Sequence, residues 1–198
     1  ILIFSDGTGQ AGGIFVDENR SNVYKLYRAS RVGPDSTIDP ACQLAFYDPG
    51  LGSRSDGAEI RIAFARKIYN AISQGTGLGI TKNIIDCYAA ILNLWRPGDR
   101  IYLIGFSRGA YTVRCVGGVL AMCGVPTHMK DGAPLRYDAA TIRAIATEAV
   151  KQVYQYGSSI KGDPFKPLRE KRAQAFRTAY GSDHDGHANQ YPYFIGVF

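Results

Sequence analysis

The sequence predicts an α/β fold, a doubly wound and mostly parallel sheet with helices on both faces. Three observations carry that reading. Short runs of strand length alternate with helix-period segments along the chain, the pattern of successive βαβ units. Several of those runs are apolar throughout rather than at every second residue, as in strands buried on both faces. At the centre of the chain, residues 101–105 pass through Phe106-Ser107-Arg108-Gly109 directly into a helical period.

Residues 1–5 form the first parallel-type run, ended by Asp6-Gly7-Thr8-Gly9. Gly7, Gly9 and Gly12 match G-x-G-x-x-G, the dinucleotide fingerprint. That fingerprint needs a helix to begin among the glycines and set its N-terminus on a pyrophosphate. Here the helical period starts only after Ser21-Asn22, so the nucleotide reading is set aside. Ser21 or Asn22 is a good N-cap, and Val23, Leu26, Tyr27 and Ser30 share a face until Gly33-Pro34 stops the helix. Residues 42–47 read as a second strand, ended by Asp48-Pro49-Gly50-Leu51-Gly52. A helix is expected over 58–73, with Ile60, Phe64, Ile68 and Ile72 at i+4 steps. Gly75, Gly77 and Gly79 read as a helix C-cap and turn, or alternatively as a mobile edge of an active site.

Thr81 is expected to cap the next helix, whose stripe is Ile84, Tyr88, Ile91, Leu92 and Trp95. Arg96-Pro97-Gly98-Asp99 turns into the central strand. The helix after Ser107 carries Tyr111, Val113, Val116, Val119 and Leu120 and ends near Gly124-Val125-Pro126. An amphipathic helix follows over 139–156, with Ile142, Ile145, Ala149 and Val153 on its apolar side. Pro167 opens another, with Leu168, Phe176 and Tyr180 near one face and Gly181 at its end. Residues 182–190 read as a polar loop containing His184 and His187, and 193–198 return to strand. Residues 127–190 are too many for a crossover. They read as a helical cap over the carboxyl edge of the sheet, where ligands bind, within one domain spanning 1–198.

With 198 residues, 45% of them apolar, the chain suits one globular domain with a substantial core. The net charge of +6 comes from Lys and Arg scattered along helices. It reads as a solvated surface, with transient contact to an anionic membrane surface as the functional alternative; no nucleic-acid partner and no cofactor are expected. Cys42, Cys87, Cys115 and Cys123 form no C-x-x-C pair and read as buried free thiols of a reducing compartment. No run approaches a membrane span, and no signal peptide is visible. The chain opens on Ile1 without Met and closes inside a strand-like run, which reads as a piece excised from a longer protein.

The chemistry gathers at Gly105-Phe106-Ser107-Arg108-Gly109. Strand, G-x-S-x-G and helix together make a nucleophile elbow, the signature of an α/β-hydrolase type of sheet. Glycines two residues before and after the serine relieve crowding at the turn. Ser107 is therefore the candidate nucleophile. A serine hydroxyl needs a base oriented by a carboxylate, and backbone donors for the oxyanion. One donor is the N–H of Arg108. The other is expected from Asp6-Gly7-Thr8, where the glycine lets backbone approach a substrate and Asp6 braces the loop, a catalytic acid being the alternative role for Asp6. Asp or Glu and then His should follow the serine in the chain. His128 follows the elbow helix too closely to swing back, and His184 and His187 precede the last strand. Their H-x-x-H spacing is weak as a metal site, and no metal is expected. The acid and base are expected beyond Phe198.

These residues resemble a known family. Ser5-Asp6-Gly7-Thr8-Gly9, Ser21-Asn22-Val23-Tyr24-Lys25-Leu26-Tyr27, Tyr47-Asp48-Pro49-Gly50-Leu51-Gly52 and the run from Gly98 to Arg114, in that order, resemble the α/β-hydrolase-like catalytic domain of type VI secretion lipase effectors. The resemblance covers residues 1–123 and resumes at 193–198. It implies a phospholipase or related esterase with Ser107 as nucleophile, a lipid or other ester substrate, and a triad Asp directly after the last strand. It also implies a protein made in the cytoplasm and exported by a secretion system. The segment 127–190 does not align, so substrate identity does not carry over. The alternative is a domain that kept the fold without the chemistry and binds a partner.

Overall fold

The computed structural model describes residues 1–7, 20–49, 78–157 and 164–198. Four strands form the main sheet: β1 (Leu2–Ser5), β2 (Ala45–Asp48), β3 (Tyr102–Gly105) and β6 (Phe194–Val197). They lie in the order β2-β1-β3-β6, every pair parallel. Ser5, Asp48, Gly105 and Val197 stand level at the carboxyl edge, in register across the sheet. The helices are α1 (Asn22–Ser30), α2 (Leu78–Leu94), α3 (Arg108–Cys123), α4 (Ala139–Thr147) and α5 (Lys166–Tyr180). A π-helical segment, Glu148–Tyr154, continues α4, and a small hairpin pairs β4 (Asp183–His184) with β5 (His187–Ala188).

Alternation along β1 decides which helix covers which face, because successive side chains point to opposite sides. Ile3 joins the buried cluster of Ile84, Tyr88, Ile91, Leu103, Val113 and Val116 under α2 and α3. Phe4 turns the other way and meets Tyr27 of α1 edge-on, ring centres 5.8 Å apart. The chain leaves β1 for β2 on one side and later returns to β3 on the other. The crevice at the carboxyl ends of β1 and β3 is thus the topological switch point, where open α/β sheets bind ligands. Asp6-Gly7 and Ser107 leave the sheet there.

The segment after α3 extends the same core. Ile142, Ile145, Val150 and Val153 are buried with α2 and α3 residues, and Phe176 and Tyr180 of α5 join them. α4 packs on α2, the π segment packs on both α2 and α3, and α5 packs on α3 and the π segment.

Several sequence expectations change. The second strand begins at Ala45, and Cys42 is exposed in a turn; the Asp39 carboxylate accepts from the Ala41 N–H at 2.8 Å and holds that turn. Cys87, Cys115 and Cys123 are buried free thiols as expected. α2 starts at Leu78, so Gly79 is helical and Thr81 is no cap; its hydroxyl pairs with the Gln155 side chain. Leu26, Tyr111 and Leu168 are exposed despite their place in apolar patterns. The polar loop at 182–190 contains the β4–β5 hairpin, turned by Asp185 and Gly186, both at positive φ. Asp-Gly is the sequence signal for that turn. Thr8, Gly9, Gly12, Gly50 to Gly52, the helix expected over 58–73, Gly75 and Gly77 lie outside the described residues.

Candidate active site

Ser107 sits between β3 and α3 with φ 54° and ψ −118°. A side chain in that region of backbone space is strained and persists only where its surroundings enforce it. The enforcement is visible at the flanking glycines. A Cβ on Gly105 would lie 2.4 Å from the carbonyl oxygen of Gly109, and one on Gly109 would lie 1.9 Å from that of Ser5. The start of α3 is therefore pressed against the ends of β3 and β1, closer than any side chain permits. The result is an exposed serine at the helix N-cap whose side chain makes no capping hydrogen bond. Arg108 is the first residue of α3, where a backbone N–H has no acceptor within the helix.

The loop after β1 meets this turn. A Cβ on Gly7 would lie 2.8 Å from the Phe106 ring and 3.4 Å from the Ser107 Cβ. Asp6 is fully buried and organises the junction. Its Oδ2 accepts from the Ser21 hydroxyl and, at 2.7 Å, from the Tyr47 hydroxyl; its Oδ1 accepts from the Gly7 N–H at 2.7 Å. Ser21 in turn accepts from the Tyr24 N–H at 2.9 Å and caps α1. One carboxylate thus ties β1, β2 and α1 together. It also holds the Gly7 N–H, which is directed at Asp6 and not into the crevice.

Ser107 opens onto a cleft of about 680 Å³ lined by Ala110, Tyr111, Arg114, Cys115, Tyr154, Val197 and Phe198. The Phe198 backbone forms its edge, donating to the Gly105 carbonyl at 3.0 Å and accepting from the Ser107 N–H at 3.2 Å. Tyr111 and Arg114 follow Ser107 by four and seven residues, one stripe of α3. Cys115 lies in the same lining beside Tyr111 and Tyr154, and burial pushes its thiol pKa up. Tyr154 arrives from the π segment and lies across Gly118, where a Cβ would come within 2.6 Å of its ring.

A second carboxylate stands at the carboxyl edge of β2. Asp48 is buried and accepts from the Ser5 hydroxyl at 2.9 Å. Burial pushes it up from the usual carboxylate range to about 6; the Ser5 hydrogen bond and the Lys82 and Arg108 charges oppose that, and Asp86 adds to it. In the sequence Asp48 marks only the end of a strand. Its burial follows from the pairing of β1 with β2, which no local pattern announces.

The three histidines lie elsewhere. The β4–β5 hairpin packs at the far end of α3: Ser182 Oγ donates to the Cys123 carbonyl, and Asn189 brackets Val125 with two hydrogen bonds. His128 packs against Gly181 there. Sixteen residues of α3 separate that end from Ser107, about 24 Å. Among the described residues no histidine stands beside Ser107, and no group of three or more His, Cys, Asp or Glu residues could hold a metal ion. Among the described residues, too, no helix is long and apolar enough to cross a membrane.

Residues 1–198 match the family described as T6SS, Phospholipase effector Tle1-like, catalytic domain. A Saccharomyces cerevisiae protein, the uncharacterized protein YEL023C, is 29% identical over 128 residues, covering 63% of this chain and 18% of its own length. The chain thus spans less than a fifth of that relative. No solved structure matches significantly. The chain belongs to the Tle1-like phospholipase effector catalytic domain family.

Proposed function

We propose that this member of the Tle1-like phospholipase effector family is a serine hydrolase of carboxylic esters, acting on phospholipid through Ser107. The observation that carries the reading is the backbone of Ser107, strained at φ 54° and ψ −118° between two glycines that have no room for a Cβ. Such strain concentrates at functional sites, and here it presents the hydroxyl at the switch-point crevice. In the proposed reaction the Ser107 Oγ attacks the acyl carbonyl, its proton passing to a base. The tetrahedral intermediate expels the alcohol, and water then resolves the acyl-enzyme. The Arg108 N–H is proposed as one oxyanion donor. Because the Gly7 N–H is engaged by Asp6, Thr8 is the better source of the second, with Gly7 giving clearance and Asp6 bracing the loop. A carboxylate on a residue after Phe198 would enter beside Ser107, given the Phe198 hydrogen bonds, and would orient a base. The segment 127–190 is proposed as a cap that borders the cleft through Tyr154, and the protein as an exported effector that touches the membrane surface transiently.

The test is covalent labelling of the full-length chain with a fluorophosphonate probe, mapped by mass spectrometry. Labelling at Ser107, lost in Ser107→Ala, is the expected result. No labelling under conditions where a control esterase reacts would remove the reading. One observation favours a second reading, a binding domain without catalysis: no described histidine lies near Ser107. That domain would bind phospholipid vesicles and leave their esters intact.

A further inference from the structure

The cleft beside Ser107 is not the plain apolar slot that an acyl chain alone would require. Three polar side chains face it: Tyr111, Arg114 and Tyr154. Their placement is built by the fold. Ser107, Tyr111, Arg114 and Gly118 follow one another at steps of four, three and four, a single stripe along α3. Gly118 leaves the stripe bare, and Tyr154 fills that space, its ring within 2.6 Å of where a Cβ would be. Tyr154 reaches it at the end of the π-helical segment, whose wider turn rotates side chains out of α-helical register; such segments recur at functional sites. Arg114 is exposed, and among the described residues no carboxylate lies within ion-pair distance of it.

We propose that Arg114, with the hydroxyls of Tyr111 and Tyr154, forms a subsite for the phosphodiester of a glycerophospholipid whose ester carbonyl sits at Ser107. This rests on the serine-hydrolase reading above. Arg114 lies seven residues from Ser107, about 10 Å along the helix axis, and its long side chain can reach back toward the serine. A glycerophospholipid carries its phosphate a few bonds from the ester carbonyl. A guanidinium and two phenols supply the donors that a phosphodiester needs, and a guanidinium recognises phosphate by paired hydrogen bonds. A neutral diacylglycerol offers these donors no charge to meet.

The experiment compares phosphatidylglycerol and diacylglycerol of the same acyl chains, presented in the same neutral detergent micelles to the full-length protein. The readout is the ratio of kcat/KM values for the two lipids. In Arg114→Ala the ratio should fall about tenfold to a hundredfold, the range for losing a charge-assisted pair. Arg114→Lys should recover part of it, since the charge remains and the planar fork does not. Tyr154→Phe should lower the ratio about threefold to tenfold by removing one donor. An unchanged ratio in Arg114→Ala overturns the subsite, as does an equal loss on both lipids, while fluorophosphonate labelling of Ser107 in the same samples would leave the hydrolase reading standing. A wild-type chain that neither labels nor hydrolyses either lipid overturns both.

Discussion

The two ends of α3 are built on opposite principles. At the C-terminal end every visible device adds stability. Gly124 ends the helix at φ 64° and ψ −151°, a backbone that glycine alone adopts without a Cβ clash, while its N–H still donates to the Leu120 carbonyl. Ser182 satisfies the Cys123 carbonyl. Arg177, buried, donates to Asp183, to the Met122 carbonyl and to the Gly186 carbonyl, and so fastens the hairpin to the helix. At the N-terminal end the devices cost stability. Ser107 is strained, two backbones touch at Gly109, and Asp48 keeps a carboxylate out of water. The residues that look most catalytic on paper, the histidines of His184-Asp185-Gly186-His187 and His128, belong to the stable end. What this teaches is that reactive residue types and backbone stress need not coincide; the stress gathers where surrounding structure holds it in place.

That contrast can be broken at several points. Gly109→Ala should have the largest effect, about 4 kcal/mol or more, because its Cβ would lie 1.9 Å from the Ser5 carbonyl oxygen and only separation of α3 from β1 relieves it. Urea denaturation checks it, and a loss under 1 kcal/mol would show the junction to be soft. Arg177→Ala should cost about 2 kcal/mol, the range for losing the charge-assisted hydrogen bonds that a buried guanidinium makes to the Met122 and Gly186 carbonyls. Below its lowered melting point the variant should still label at Ser107 at the normal rate. Slowed labelling there would mean that the two ends are coupled.

Asp48 sharpens the comparison through pH. Its carboxyl binds a proton more tightly folded, at about 6, than unfolded, at the ordinary value near 4. The stabilisation is therefore full below about pH 4 and is lost as pH rises through 6, amounting to about 2–3 kcal/mol. Asp48→Asn should remove that slope from denaturation curves taken between pH 4 and 7; an unaltered slope would assign the pH dependence to other groups. Ser107→Gly should show the smallest effect and the opposite sign. It should stabilise the fold by about 1 kcal/mol over Ser107→Ala, because glycine meets no Cβ penalty at φ 54°. Equal stability of the two variants would mean that the turn stores no strain.

Much of this arrangement was legible beforehand where chain chemistry is local. Ser21 reads as a cap and is one, with the Tyr24 N–H on its hydroxyl. The four-residue core of each main strand falls within, or one residue from, its apolar run, and Gly105 and Gly109 sit where a strained turn needs them. Tyr111 and Arg114 also follow Ser107 along one face by the helical period, but Tyr111 falls within an apolar pattern and is nonetheless exposed. The Asp185-Gly186 turn carried its own signal and was covered by the polarity around it.

By itself the sequence determined the alternation of strand and helix, the parallel character of the strands and the sharp strand-to-helix turn at Ser107. These depend on residues a few positions apart, whose sterics and periodicity act before any distant contact forms. Only the tertiary structure decided that Asp6 would bind Ser21 and Tyr47 at once, that Asp48 would be buried, that the histidines would sit a helix-length from the serine, and that a π turn would bring Tyr154 to the cleft that Arg114 lines. Each of those depends on segments distant in sequence packing at one place, and the free energy that selects the packing belongs to the assembled core and to no single stretch of chain.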